Sequence, residues 1–194
     1  MRRAFRIVGI VIVAAVLAVS IGVEREAPYI HESLGGTGPR ALVLYHPSRD
    51  ARFADEISMA VAQGLRDAGY SVERATITRR TPGDSSGVAF IAVVSNTYWW
   101  TPDLPTLRFL RRARLTGIPA YAFIGGAGST GRSERVLADA LRATGATVIG
   151  TRSLWIWRPN DEHRMQEPNR RVADERGHRA DAGRRALASG ARAR

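Results

Sequence analysis

From residue 40 onwards, short apolar runs alternate with longer amphipathic stretches along the chain. The apolar runs are rich in β-branched residues and predict strands at 41–45, 71–77, 88–95, 118–124 and 147–156. Patterns with helical spacing predict helices at about 50–68, 104–115, 132–144 and 169–187. Strands and helices that alternate in this way are typical of a parallel sheet covered by helices, so the predicted fold class is α/β.

A different apolar pattern occupies the N-terminus. Residues 7–23 are apolar apart from the small residues Gly9, Ser20 and Gly22, and three arginines precede them. This length falls at the low end of the roughly 17–25 residues that a transmembrane helix needs. We therefore predict a basic tail at 1–6 and a transmembrane signal anchor at 7–23, with a signal peptide cleaved after Ser20 as the alternative.

The charges around this segment predict its orientation. Arginines precede it, whereas Glu24, Arg25 and Glu26 follow it, which favours an N-terminus in the cytoplasm. We thus expect a single-pass protein of the bacterial cytoplasmic membrane with its domain outside the cytoplasm. The pair Arg2-Arg3 resembles the twin-arginine signal of proteins that are exported in the folded state.

Composition sets the limits of the folded part. Residues 24–39 are polar and end in a glycine-rich stretch, which predicts a flexible linker. The arginine-rich residues 188–194 have little to bury and predict a frayed tail. The folded domain is therefore expected at 40–187, and a chain of 194 residues leaves no room for a second catalytic domain.

The cysteine content and the net charge limit the reactions and the partners that this chain can have. The chain has no cysteine, which excludes thiolate nucleophiles, thiolate-bound iron–sulfur clusters and CxxC zinc sites, and we predict no metal site. Redox chemistry would need a bound cofactor. The net charge is +11, but the arginines are interleaved with Asp and Glu, so a solvated surface is favoured over nucleic-acid binding.

Three loops follow predicted strands, where ligands of open α/β sheets bind. The first loop, 46–52, leads into a helix N-terminus, whose free N–H groups and dipole favour a phosphate. Ser48 offers a hydroxyl and Arg52 a guanidinium group to such a ligand. The alternative is that Ser48 or Asp50 only caps the helix.

The second loop, 95–102, contains the consecutive aromatics Tyr98, Trp99 and Trp100. Neighbouring side chains point in different directions, so part of this run must be exposed, and it predicts an aromatic ledge for a planar ring. Asn96 and Thr97 add polar groups that could orient that ring.

The third loop contains GxGxxG between Gly126 and Gly131, which is the dinucleotide fingerprint when it opens the fold. Here it follows the fourth strand, and the next strand ends in Thr151-Arg152 without an acidic ribose ligand. A close approach of the backbone to a ligand is the favoured interpretation.

In this order, the three loops resemble those of the flavodoxin-like superfamily, which includes flavodoxins and NAD(P)H:quinone reductases. The resemblance covers 40–187 and implies a three-layer, doubly wound sheet of five parallel strands in the order 2-1-3-4-5. The segment from Leu44 to Phe53 and the helix up to Gly69 are similar to the quinone-reductase branch, where His and the residues opening the helix hold the phosphate of FMN. Residues 95–102 resemble the loop that lies against the isoalloxazine ring.

The resemblance implies an FMN site whose residues are drawn from all three loops. They are His46, Ser48, Arg52, Phe53, Asn96, Thr97, Tyr98, Trp99, Gly125 and Gly126. The chain departs from the family where Ala51 and Phe53 replace Gly and Thr and where Asp50 brings a carboxylate near the phosphate. No general base is assignable.

The leading hypothesis is a membrane-anchored FMN protein that transfers electrons to a quinone or a protein partner. With NAD(P)H as donor it would be an FMN-dependent NAD(P)H oxidoreductase. The alternatives are an interaction module that kept the fold without the cofactor, or an NADP-binding protein that uses Gly126–Gly131 with Arg152 as phosphate partner. Nucleic-acid binding ranks last.

Overall fold

The structure is a computed structural model. It describes residues 2–23, 25, 27–47, 51–84, 86–156, 169, 171, 173 and 175. The residues 169, 171, 173 and 175 are helical, in agreement with the start of the helix predicted at 169–187. The rest of that helix, the tail at 188–194, and Ser48 and Asp50 of the first loop lie outside the described residues.

In the described part of the chain, a seven-stranded sheet is combined with four helices. The strands are β1 (His31–Gly35), β2 (Arg40–Tyr45), β3 (Ser71–Thr76), β4 (Val88–Tyr98), β5 (Thr101–Pro102), β6 (Pro119–Gly126) and β7 (Thr147–Trp155). The helices are α1 (Arg2–Val23), α2 (Ala51–Asp67), α3 (Leu104–Arg112) and α4 (Gly131–Ala143).

The strand order confirms the predicted topology. The sheet runs β1-β3-β2-β4-β6-β7, and β5 pairs with β4 at one end. The five strands β3, β2, β4, β6 and β7 are parallel, and they are the five predicted strands in the order 2-1-3-4-5. Parallel strands place their carboxyl ends at one edge of the sheet, which brings the three candidate loops to the same edge.

The helices α2, α3 and α4 cover the two faces of this sheet. Ile57, Val61 and Leu65 of α2 share a buried cluster with Phe90 and other residues of one face. Phe109 and Leu110 of α3 and Leu137 and Leu141 of α4 belong to the cluster on the opposite face. Because β4 contributes to both clusters, its run from Phe90 to Val94 is apolar without alternation.

The predicted linker at 24–39 is not a plain linker, because β1 lies within it and pairs antiparallel with β3. Four of the five residues of β1 are exposed, so the segment lacks the apolar alternation that would have predicted a strand. The glycines that follow β1 allow two backbone segments to lie close together. A Cβ at Gly38 would lie 1.8 Å from the carbonyl oxygen of Gly69, so only glycine fits there.

Ionic contacts hold β1 against the domain. The buried Arg74 guanidinium donates to Glu32 of β1, at 2.6 Å, and to Ser58 and Asp55 of α2, and it lies over the ring of Tyr45. Burial lowers the pKa of Arg74, but its bonds to the two carboxylates outweigh burial and raise it overall. Burial raises the pKa of the Tyr45 phenol.

The prediction of a transmembrane helix at 7–23, and with it the single-pass membrane localisation, is wrong. None of the helices in the described residues combines the length and the apolar character that crossing a bilayer requires.

Candidate functional site

The carboxyl ends of β2, β4 and β6 bring together residues from all three predicted loops. The Asn96 side-chain amide donates to the backbone oxygen of His46 at 2.8 Å, which ties the second loop to the first. Asn96 also pairs in register with Gly125 of β6. The structure thus assembles His46, Asn96 and Gly125 at one edge, as the sequence predicted.

The two glycines of the third loop make room for side chains of this protein. A Cβ at Gly125 would lie 2.6 Å from Cε1 of Phe53 and 3.5 Å from Oδ1 of Asn96. A Cβ at Gly126 would lie 2.8 Å from the Thr130 methyl group and 3.3 Å from Cβ of Thr97. The ring of Phe53, which lies in α2, therefore covers the backbone of Gly125, where the sequence predicted a close approach of bare backbone to a ligand.

Asp103 organises this edge, and the sequence analysis missed it. Its carboxylate is fully buried and accepts hydrogen bonds from the Ser95 hydroxyl at 2.7 Å, from the Asn96 backbone N–H at 2.9 Å and from the Thr106 backbone N–H at 2.9 Å. The last bond makes Asp103 the N-cap of α3. An Asp two residues before Pro105 is a helix-start signal that could have identified this role.

His46 lies beside Asp103 in the buried part of the site. Its side chain is 1 % exposed, and its Nδ1 lies 3.5 Å from Oδ1 of Asp103, which is too far for a good hydrogen bond. Neither ring nitrogen has a hydrogen-bond partner among the described residues. The carboxylate nevertheless faces Nδ1, which leaves Nε2 as the nitrogen that a further group could engage.

Other buried polar atoms at this edge also lack partners. Within the described part of the chain, Oδ1 of Asn96 and the hydroxyls of Thr97 and Thr130 make no hydrogen bond. Each buried polar atom left in this state costs about 1–3 kcal/mol. Several unpartnered polar atoms in one place require an explanation, and a polar ligand that hydrogen-bonds to them would provide one.

The aromatic run of the second loop forms a hairpin turn. Tyr98 pairs with Thr101, so Trp99 and Trp100 are the two residues of the turn between β4 and β5. Both have positive φ, at 52° and 58°, and both side chains are more than half exposed. Tyr98 is half-buried. The structure therefore places Trp99 and Trp100 at an exposed tip rather than in the buried cluster.

The first loop is described only at its ends. After His46 and Pro47, the next described residues are Ala51 and Arg52, which open α2. Arg52 is exposed at this helix N-terminus, where an anion is favoured by the free N–H groups and by the helix dipole. Its position is compatible with the predicted phosphate contact.

The geometry of the third loop does not favour the alternative of an NADP site. The backbone oxygen of Gly126 accepts from the Ile156 N–H at 2.9 Å, and that of Gly128 accepts from the Trp155 indole at 3.1 Å. Both bonds tie the loop to the end of β7. Arg152 lies three residues before the end of β7, about 10 Å from the carboxyl edge at 3.3 Å per residue.

A second groove of about 540 Å³ runs along α4 from Gly131, where the third loop ends, to Arg142. Glu134, one of its lining residues, accepts hydrogen bonds from the hydroxyls of Thr151 and Ser153. Arg142 is paired with Asp139 at 2.7 Å. Glu134, Asp139 and Arg142 are thus engaged within the fold, and the carboxyl edge remains the candidate site.

No protein-family model and no curated protein sequence matches this chain. Solved structures do match. A flavodoxin from the domain Archaea superposes with a TM-score of 0.58 at 17% identity, covering 75% of this chain and 99% of that one. Oxidised flavodoxin 1 from Bacillus cereus gives 0.58 at 18% identity, covering 74% and 97%. A flavodoxin, WrbA-like protein from Agrobacterium tumefaciens gives 0.54 at 15% identity, covering 76% and 99%. The chain therefore has the flavodoxin-like fold that its three loops predicted.

Proposed function

We propose that this chain binds FMN at the carboxyl edge of its sheet and transfers electrons through it to a quinone or a protein partner. The observation that supports the proposal most is the group of buried, unpartnered polar atoms on His46, Asn96, Thr97 and Thr130. The likeness to two flavodoxins supports the same edge as the binding site. When bound, FMN supplies redox chemistry that a chain without cysteine does not provide itself.

The residues at this edge fit the chemistry of a flavin. The ring system of a flavin is planar and carries donors and acceptors along one edge, which suits Asn96 Oδ1 and the hydroxyls of Thr97 and Thr130. Phe53 offers an aromatic surface next to these atoms. Arg52 and the N-terminus of α2 would hold the phosphate, together with His46 through Nε2.

The proposal is tested by titrating the full chain with FMN and following flavin fluorescence and absorption. We expect saturable binding at one FMN per chain. A chain that leaves the flavin spectrum and fluorescence unchanged would contradict the proposal.

Two matched variants test whether the unpartnered hydroxyls matter. Thr97→Val removes a buried hydroxyl at the proposed site, and Thr106→Val removes one that is equally unpartnered but lies in α3. Both changes should leave the free protein as stable or slightly more stable, because each removes an unsatisfied group. Only Thr97→Val should weaken FMN binding, by about five- to tenfold for one hydrogen bond. Equal effects of the two variants on FMN binding would contradict the assignment.

NAD(P)H is the proposed electron donor. Full chain with bound FMN should oxidise NADPH or NADH in the presence of a soluble quinone and without oxygen. If dithionite reduces the bound flavin but neither nucleotide does, the chain is not an NAD(P)H oxidoreductase. The proposal that it carries electrons between other partners would then stand.

A second candidate function is an interaction module that does not use a cofactor. The observation that favours it is the exposed Trp99-Trp100 turn, since large exposed apolar groups mark binding surfaces. Failure of the FMN titration together with binding of a protein through this turn would support it.

A further inference from the structure

The turn between β4 and β5 is built from residues that disfavour its conformation. A two-residue hairpin loop with positive φ at both positions is a type I′ turn, for which Asn-Gly is strongly preferred. Here the two positions are Trp99 and Trp100, with φ of 52° and 58°. A residue other than glycine held in this region costs about 1–3 kcal/mol.

The two indoles make few contacts that would stabilise the fold. Trp99 is 59 % exposed and Trp100 is 56 % exposed, and neither makes a hydrogen bond or a ring contact with the described residues. The turn is held by the backbone around it, where the Asp103 N–H donates to the Asn96 oxygen at 2.9 Å. Strain that the fold maintains but does not use is found at functional sites.

The surface next to the turn is formed by α3, which is apolar at its start and basic further along. Leu104 opens α3 and is 38 % exposed, and Arg108 and Arg111 follow it on the same helix face at i+4 and i+7. Both arginines are exposed and make no ion pair within the described part of the chain. The one carboxylate between residues 97 and 112, that of Asp103, is fully buried.

We propose that Trp99, Trp100, Leu104, Arg108 and Arg111 form a docking surface for an acidic protein. We call these five residues the tryptophan patch. Trp and Arg are the residue types most enriched at energetic hot spots of protein interfaces. The net charge of +11 would steer a negatively charged partner towards the chain.

A protein is favoured over a nucleic acid as the partner. Two arginines are few for a groove that must follow a phosphate backbone, but they are sufficient for the rim of a protein interface. The inference deepens the proposed electron transfer, because it gives the chemistry of the protein partner. It concerns a surface that can bind without a flavin, so the two proposals can fail separately.

The test is a selection from a random peptide library displayed on phage against the full chain, performed with and without excess FMN. We expect the selected peptides to be rich in Asp and Glu and to contain aromatic or Leu residues. Their affinity should fall about thirtyfold in Trp100→Gly, as for a hot-spot residue. It should also fall at about 1 M salt, where the screening length is only ~3 Å.

Charge reversal with a matched control tests the basic part of the patch. Arg108→Glu/Arg111→Glu should weaken peptide binding by about tenfold or more. Arg132→Glu/Arg135→Glu makes the same charge change on exposed positions of α4 and should retain most of the binding. Equal losses in the two variants would overturn the proposed location of the surface.

Three further results would overturn the proposal. The first is a selection that yields no peptides or only peptides without excess acidic residues. The second is peptide binding that is unchanged in Trp100→Gly. The third is tighter binding of the patch to oligothymidylate or to phosphatidylglycerol vesicles than to the selected peptides. Selection without FMN that succeeds while the FMN titration fails would support the patch and overturn only the proposed cofactor.

Discussion

The Asp103 corner and the Trp99-Trp100 turn stand three residues apart in sequence and differ in almost every physical respect. Asp103 is fully buried, and both of its carboxylate oxygens accept hydrogen bonds from groups that would otherwise be unsatisfied. Trp99 and Trp100 are more than half exposed, adopt positive φ and make no hydrogen bond to the described residues. The burial of a carboxylate at Asp103 is compensated by hydrogen bonds. The positive φ angles of Trp99 and Trp100 are not compensated by any hydrogen bond or ring contact of their side chains with the described residues.

This difference separates two kinds of unusual residue. A buried carboxylate is costly unless it is hydrogen-bonded, and the three donors around Asp103 explain why the fold tolerates it. No comparable contacts explain two tryptophans in a turn that prefers Asn-Gly. Asp103 is therefore understood from the fold, whereas the turn requires a binding partner for its explanation.

The largest expected effect comes from removing the compensation at Asp103. Asp103→Ala eliminates the cap of α3 and leaves the Ser95 hydroxyl and two backbone N–H groups without an acceptor. We expect a loss of about 4 kcal/mol in the free energy of unfolding, measured by urea denaturation.

Asp139→Ala is the matched control for this change. Asp139 is an exposed carboxylate paired with Arg142 one turn away, so its loss should cost about 0.5 kcal/mol or less. If Asp103→Ala were as stable as Asp139→Ala, the contrast between the corner and the turn would not hold.

A smaller effect of opposite sign is expected at the turn. Trp99→Asn/Trp100→Gly supplies the residues that a type I′ turn prefers and relieves the strain at both positions. The loss of apolar contact by two largely exposed indoles offsets part of this gain. We expect the variant to be about 1 kcal/mol more stable, seen as a higher urea midpoint with an unchanged slope. A variant less stable than the parent would mean that the indoles support the fold after all.

The smallest effect is expected for Glu73, a carboxylate of intermediate exposure on β3. Glu73 accepts two hydrogen bonds from Arg40, at 2.8 and 2.9 Å, and one from His31. The Arg40 bonds lower the pKa of Glu73 below its ordinary value of 4.5. The native state thus favours the ionised form, so this contribution to stability is present above pH 4.5 and is lost as the pH falls below that value.

Glu73→Gln should therefore reduce stability by about 0.5 kcal/mol near neutral pH, because both partners are partly exposed to solvent. The difference from the parent should disappear as the pH is lowered through the acidic range. Glu56→Gln on the exposed side of α2 serves as the control and should show no comparable effect. A difference for Glu73→Gln that stays constant down to the lowest pH at which the chain folds would contradict this account.

Much of the fold followed from the sequence. The continuous apolar run at 89–94 indicated a central strand, and β4 does lie between β2 and β6. The strand β1 was not predictable in the same way, because its side chains are exposed and its stability comes from backbone pairing with β3 and from Glu32 bound to Arg74. Contacts between residues 42 positions apart leave no periodic pattern in a single sequence.

The sequence predicted that the loops after three strands would meet. His46, Asn96 and Gly125 lie at the ends of predicted parallel strands, which indicated that they would meet at the carboxyl edge of the sheet. The structure confirms that they do. The same reasoning expected bare backbone at Gly125, whereas the ring of Phe53 from α2 covers it. Which side chain fills a gap depends on the packing of separate elements, and loop composition does not contain that information.

The sequence by itself determined the α/β alternation, the five parallel strands and the edge at which the loops gather, because these follow from local periodicity and from the common direction of parallel strands. Only the tertiary structure decided that Asp103 is buried as a hydrogen-bonding centre, that β1 joins the sheet and that Trp99 and Trp100 share a strained turn. Burial, pairing between distant segments and backbone dihedral angles arise when elements meet, and they are therefore properties of the folded chain rather than of any stretch of it.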